Sequence, residues 1–241
     1  MKFEGLKEWN TPRGKVSELA INGKIAWKKV VNVPISTLDV GSSVFLNVGG
    51  KKTDFIIVHQ GLPSTSYDSS CNGTWLLMKN IYTKAAWDGT NNSYADSDIY
   101  AYLKNTFLNL FASNIRSIIK NVYIPFVNGV GTSSVSYYLS AKVFLLSAME
   151  LGWESGSYRK ADGSCLTYFK DISNSKRIAY YNSSATEWWT RSPNGLGSTQ
   201  VIYVKTDGGN TTTSYSTSYG VRPAFILPSD TLVDASGNVI A

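Results

Sequence analysis

The stretch TEWWTRSP, residues 186–193, sets two of the chain's 7 tryptophans side by side and follows them with an arginine and a proline. Two large aromatics bury enough surface to pin down a region that has few helices or long strands to order it. Downstream, residues 205–220 run without one Leu, Ile, Val, Phe or Trp. An apolar anchor beside a polar tract is the contrast the fold has to accommodate.

Composition bounds that fold. The chain has 241 residues, 43% hydrophobic and 13% aromatic, enough to bury a sizeable core. Its 20 glycines and 15 tyrosines, with only 17% charged residues, point to short elements joined by many turns. The expectation is a loop-rich β or α+β domain. The formal charge of +6 sits largely at one end: residues 1–30 hold Lys2, Lys7, Arg13, Lys15, Lys24, Lys28 and Lys29 against Glu4, Glu8 and Glu18. Nucleic-acid binding needs basic residues gathered on one face with stacking aromatics, and no part of the main body shows that clustering in sequence, so no nucleic-acid partner is expected. No run of 18 apolar residues exists, and the basic start lacks the apolar stretch of a signal peptide, so the reading is a protein made in the cytoplasm with no membrane partner. Cys71 and Cys165 are too few for a disulfide scaffold, and with the single His59 they cannot supply zinc spacing, so two free thiols and no cofactor are expected.

Working outward, ELAINGKIAW (18–27) places Asn22-Gly23 between two short apolar-alternating runs. Asn-Gly suits a type I′ turn, so Ile21 and Lys24 should flank a two-residue loop with Leu19 opposite Ala26. An isolated hairpin is marginal in water, which makes residues 1–40 a candidate attachment arm whose apolar residues Leu19, Ile21, Ile25 and Trp27 would pack on another surface. Residues 41–241 form the main body. SSVFLNV, TDFIIVHQG and GTWLLMKNIY read as strands. SDIYAYLKNTFLNLF reads as a helix capped by Asp96 or Ser97, and a second helix runs from Ser113 through Ile115, Ile118, Ile119 and Val122 to a stop at Pro125. KVFLLSAMELGW suits a strand followed by one helical turn, with Ser147 and Glu150 at capping-box spacing. Val201 and Tyr203 open a hairpin that turns at Asp207-Gly208-Gly209, and YGVRPAFIL is read as the strand that closes it.

Catalytic signatures are missing. There is no G-x-S-x-G elbow, no P-loop, no dinucleotide fingerprint, and His59 reads as structural. Glu150, Glu154 and Glu187 read as solvated surface carboxylates rather than a glycosidase pair. DGTNNSYADSD offers Asp88, Asn91, Asn92, Asp96 and Asp98 as oxygen ligands for calcium, without EF-hand spacing, and Asp96 and Asp98 are better explained by the start of the following helix.

The combination WWTRSP with GVRPAFILP, preceded by SDIYAYLKNTFLNLF and KVFLLS, resembles the domain of unknown function 6273 of phages and prophage-carrying bacteria, over roughly residues 45–228. That family is similar to the C-type-lectin-like fold of formylglycine-generating enzymes and phage receptor-binding proteins. The resemblance implies an α+β domain with short antiparallel sheets, two to three helices and long loops behind the hairpin arm. It also implies that Trp188 and Trp189 lie in or near the core, with Arg191 and Arg222 as framework residues bonding loop carbonyls or carboxylates. Core packing without ligand contact is the favoured reading of the indoles. The implied role is a virion protein, not an enzyme, that attaches to other virion proteins through its arm, as a homotrimer in some appendages, and meets a host-surface glycan or protein. The polar tract, with its Tyr, Ser, Thr, Asn and Gly, has the makeup of antibody binding loops. It offers Tyr203, Lys205, Asn210, Thr212, Tyr215 and Tyr219 as contact residues, and equally suits a solvated hairpin with no partner. A capsid or tail decoration role, or an enzyme acting on a surface polymer, are the alternatives. The late cysteine pair that holds copper in formylglycine-generating enzymes and the calcium motifs of sugar-binding lectins are both absent, so neither activity carries over.

Overall fold

A computed structural model describes residues 3–11, 14–21, 24–30, 32–129, 137–171, 173–197 and 199–241, the stretches before residue 32 by backbone alone. Strands β1 (Phe3–Thr11), β2 (Gly14–Ile21) and β3 (Lys24–Val30) form an antiparallel meander. Ile21 pairs with Lys24, but Leu19 pairs with Trp27 rather than Ala26, because Ala26 is an extra residue in the ladder, a β-bulge. The third strand was hidden in FEGLKEWNT, where charges and a glycine blur the alternation. The Asn22-Gly23 turn and the side chains of Leu19, Ile21, Ile25 and Trp27 lie outside the described residues.

The main body is mostly β with two short α-helices. Strands β4 (Ser43–Val48) and β5 (Lys51–Gly61) turn over Gly49 and Gly50, whose φ of 57° and 79° are left-handed. β6 (Gly73–Met78) is buried at every position, so GTWLLM is a strand covered on both faces and shows no alternation. After β7 (Thr83–Ala85), Ser97 caps α1 (Asp98–Asn105) by accepting from the Tyr100 N–H at 3.2 Å. Ile99, Tyr100 and Leu103 form its buried stripe, and a 3-10 turn over Phe107–Leu110 extends it. Helix α2 (Ser113–Ile118) stops seven residues before Pro125. Val122–Phe126 is instead strand β8, paired with β9 (Tyr137–Ala141) so that Pro125 faces Tyr138. The β-branched Ile119, Val122 and Ile124 favour extended backbone, and a two-stranded ladder has open edges where a residue without an N–H is tolerated.

β10 (Val143–Phe144) precedes the turn at Ser147, after which come β11 (Trp188–Pro193), β12 (Gln200–Val204), β13 (Asn210–Ser214), β14 (Tyr219–Val221) and β15 (Ala224–Leu227). They build two five-stranded sheets. One is antiparallel, in the order β10-β15-β6-β5-β4; the other runs β13-β12-β11-β14-β7. The hairpin that starts at Gln200 is closed by the polar Asn210–Ser214, not by YGVRPAFIL. That stretch splits at Arg222-Pro223: Tyr219–Val221 runs parallel to β11, with Gly220 opposite Trp188, and Ala224–Leu227 enters the other sheet beside β6. A proline cannot continue a ladder, and here it lets one run serve two sheets. Against the first sheet, Phe107 and Phe111 of the 3-10 segment pack edge-on with Phe55 and Phe225, and Tyr67 joins Trp75 and Phe144 in a second aromatic group.

Candidate functional site

Every residue of β11 is buried. Its ladder with β12 shifts between Trp189 and Pro193, and the Arg191 N–H donates to the Leu146 carbonyl at 3.0 Å instead. Arg191 therefore points into the body. Its Nη1 and Nη2 bind both oxygens of Glu150 at 2.6 and 2.7 Å, and its remaining donors reach the carbonyls of Pro125, Leu145 and Asp162. Glu150 is fully buried, not the solvated carboxylate expected. Its second role is local: its side chain accepts the Ser147 N–H at 2.9 Å while the Ser147 hydroxyl accepts the Glu150 N–H at 3.1 Å, the reciprocal capping box its spacing announced. The Tyr67 hydroxyl donates to the same carboxylate at 2.8 Å, and burial and that neighbouring charge push its pKa up. Burial works against the charge on Arg191, but Glu150 overrides it and the guanidinium titrates above its ordinary range.

A second carboxylate, Asp162, lies 1% exposed beside this pair and accepts from the Ser192 hydroxyl at 2.5 Å. Burial pushes it up to about 6 despite Arg191 nearby. Arg222 is the contrast: it donates to the carbonyls of Met78 and Lys79, its guanidinium lies 4.8 Å from the Trp188 ring, and no carboxylate meets it. Burial alone brings it down to about 9. The indoles are tied in as well, Trp188 Nε1 to the Arg177 carbonyl and Trp189 Nε1 to the Ala85 carbonyl, each at 2.9 Å.

The outward chemistry lies on the same sheet. Side chains alternate faces along a strand, and the register puts Trp189, Tyr203, Thr211 and Tyr219 on one face. Tyr203 and Tyr219 pack ring against ring, tilted by 44° with centroids 4.5 Å apart, and Tyr219 lies 5.0 Å from Trp189, which is sealed beneath them. Burial, with the Tyr219 hydroxyl beside it, pushes the Tyr203 phenol up to about 12, so it is a neutral donor. Thr211, directly opposite Tyr203, is exposed, and the Thr213 and Thr217 hydroxyls meet at 3.2 Å.

The other expected contact residues do not join this face. Asn210 and Thr212 alternate to the opposite side, where Tyr158 donates to Asn210 and Thr212 reaches Gln200. Lys205 is paired with Asp207 across the turn. Tyr215 donates to the Thr90 carbonyl at 3.0 Å and borders a polar cleft of about 440 Å³ lined by Thr90, Asn91, Asn92, Ser93, Asp96 and Thr199, among others. Of the candidate calcium ligands, Asp88 is turned inward, its oxygens accepting the N–H groups of Thr90, Asn91 and Asp98. Among the described residues no three His, Cys, Asp or Glu side chains gather as a metal site. Cys71 is buried and its thiol is pushed by burial up to about 12, which removes it as a nucleophile.

Sequence reasoning placed Glu150 in the capping box but took its carboxylate for a solvated one, and it overlooked Asp162, Tyr67 and Thr211. The capping-box spacing was the available sign for Glu150; the others depend on contacts far apart in the chain. In comparison with known proteins, the family described as a domain of unknown function, DUF6273, matches residues 72–229. No curated protein and no solved structure matches. The match spans well over half of the sequence and takes in β6, the WWTRSP and GVRPAF motifs and the paired tyrosines, and on that ground the chain belongs to the DUF6273 family.

Proposed function

We propose that this chain is a phage or prophage virion component, a C-type-lectin-like binding module that presents the Tyr203–Tyr219 face to a host-surface glycan. The observation that carries the reading is the tilted tyrosine pair, packed over the buried Trp189 and bordered by Thr211. A rigid aromatic surface stacks on the C–H face of a sugar ring at little entropic cost, while hydroxyls beside it exchange hydrogen bonds with the sugar's own. Binding rather than catalysis is supported by where the acids lie: Glu150 and Asp162 are sealed in the body around Arg191, serving the scaffold. The resemblance supports the virion setting, and the β1–β3 meander is the segment proposed to dock on other virion proteins.

The test is attachment of the purified protein to host cells and to a glycan array. The original protein binds; Thr211→Arg loses binding by about tenfold or more while keeping the same thermal transition, and Tyr203→Ala loses it with some fall in that transition, because its ring also covers Trp189. Equal attachment by both variants overturns the sheet face as the site. Incorporation into particles without any cell binding identifies a decoration protein instead.

A further inference from the structure

A second cleft, of about 390 Å³, opens between α1 and the end of the β8–β9 hairpin. Its floor is apolar, made by Tyr100, Leu108, Ala141 and Val143, and the Tyr100 ring is fixed there by its hydroxyl's bond to the Ser140 carbonyl at 2.6 Å. Its walls carry donors: Lys104 from α1, Lys142 from the strand junction, the amides of Asn105 and Asn121, and the Ser140 hydroxyl. Among the described residues no carboxylate lines it. The sequence explains why: residues 99–149 contain not one Asp or Glu, yet hold Lys104, Arg116, Lys120 and Lys142. Read along the chain these four are dispersed, and folding brings two of them, Lys104 and Lys142, to the cleft. Lys142 Nζ donates to the Arg116 carbonyl at 2.7 Å, which ties α2 to the rim, and Asn121 donates to Ser140 at 3.0 Å. Lys104 is exposed and has no ion-pair partner among the described residues. A concave site with cations, neutral donors and no acid is a standing positive potential, and it selects an anion.

The shape narrows the ligand. Lysines act as point charges and suit phosphate, whereas a carboxylate is best met by an arginine fork. A nucleic-acid track needs aromatic platforms on which bases stack, and the one ring here is buried to 6% exposure. We propose that this cleft binds the phosphate of a sugar phosphate or polyol phosphate, the repeating unit of an anionic cell-surface polymer. Lys104 and Lys142 meet the phosphate charge, Asn105, Asn121 and Ser140 donate to its oxygens, and the carbon skeleton lies on Leu108 and Val143. The site shares no residue with the tyrosine face, so either can fail without the other.

The experiment is an NMR titration of the full isotope-labelled chain with glycerol 1-phosphate, using glycerol and inorganic phosphate as comparisons. Saturable shifts at the amides of Lys104, Asn121 and Ser140 are expected, with a dissociation constant of roughly millimolar or tighter. Glycerol should produce none, and inorganic phosphate should bind the same residues more weakly. Lys104→Gln, an exposed helix position whose replacement leaves the melting transition in place, should weaken glycerol phosphate about tenfold, and Lys142→Gln should act in the same direction. Binding that is unchanged in Lys104→Gln, shifts confined to other surfaces, or equal affinity for inorganic phosphate overturns the proposal. Tighter binding of a single-stranded oligonucleotide at these residues overturns it in favour of a nucleic-acid site.

Discussion

Arg191 holds three separate segments with one guanidinium: the β8 end through Pro125, the strand exit through Leu145, and the later loop through Asp162, with Glu150 balancing its charge. Removing one member of such a buried pair strands the other without solvent, so Glu150→Ala should lower unfolding free energy by about 3–5 kcal/mol in urea denaturation. Replacing both, as Arg191→Met with Glu150→Leu, should recover much of that loss, because no bare charge remains. Asp162 adds a pH dependence. Its folded pKa of about 6 lies above the ordinary carboxylate value, so the fold binds its proton more tightly than the unfolded chain does. The stabilisation is complete below the unfolded value and fades as pH rises through about 6. Across that window the contribution falls by at most roughly 1.4 kcal/mol per pH unit, and Asp162→Asn should remove that slope relative to the original protein in urea melts from acid to neutral pH. Identical slopes in the two proteins would show that Asp162 carries no such linkage.

Among the elements, β14 has little room beside its neighbours. It crosses beside β11 in parallel, and at Gly220 an added Cβ would meet the Ile81 Cδ1 at 2.7 Å and the Glu187 carbonyl oxygen at 2.8 Å. Ile81 can shift, but the carbonyl belongs to the neighbouring backbone. Gly220→Ala should therefore open the β11–β14 contact and destabilise by about 1–3 kcal/mol, read from thermal unfolding. A variant as stable as the original would mean that the two strands part without loss. β13 sits at the other extreme. As the sheet's edge strand it carries only Asn, Thr and Ser, which keeps an open ladder edge free of the apolar side chains that promote edge-to-edge aggregation. The polar tract thus has a structural reason for its composition as well as the proposed binding one.

For the whole molecule, the fold carries two separate chemical surfaces, the tyrosine face on one sheet and the lysine-lined cleft beside α1. Because Thr211 is exposed and has only its strand neighbour to satisfy, Thr211→Arg should change stability by no more than about 0.5 kcal/mol while blocking attachment. By contrast Tyr215→Ala should cost stability, because it cuts the bond to Thr90 that joins the late hairpin to the loop before α1. Comparing melting and cell binding for the two variants separates a surface residue from a joint.

The amino-acid sequence by itself determined the local units. Strands β4 to β6, the Ser97-capped helix α1, the Ser147–Glu150 turn and the Asn-Gly hairpin register at Ile21 and Lys24 all follow from turn chemistry and from periodicity within a few residues. Their apolar composition also marked Trp188 and Trp189 for the interior. Only the tertiary structure decided that α2 gives way to β8, that Tyr219–Val221 joins β11 while its continuation leaves for the other sheet, and that Glu150 is buried under Tyr67, 83 residues away in sequence. It also decided that Tyr203 shares a face with Tyr219 and not with Asn210. A strand's pattern says that alternate residues part company, but which side meets the core, and which charge meets which, depends on contacts between distant segments, and those exist only once the chain has closed on itself.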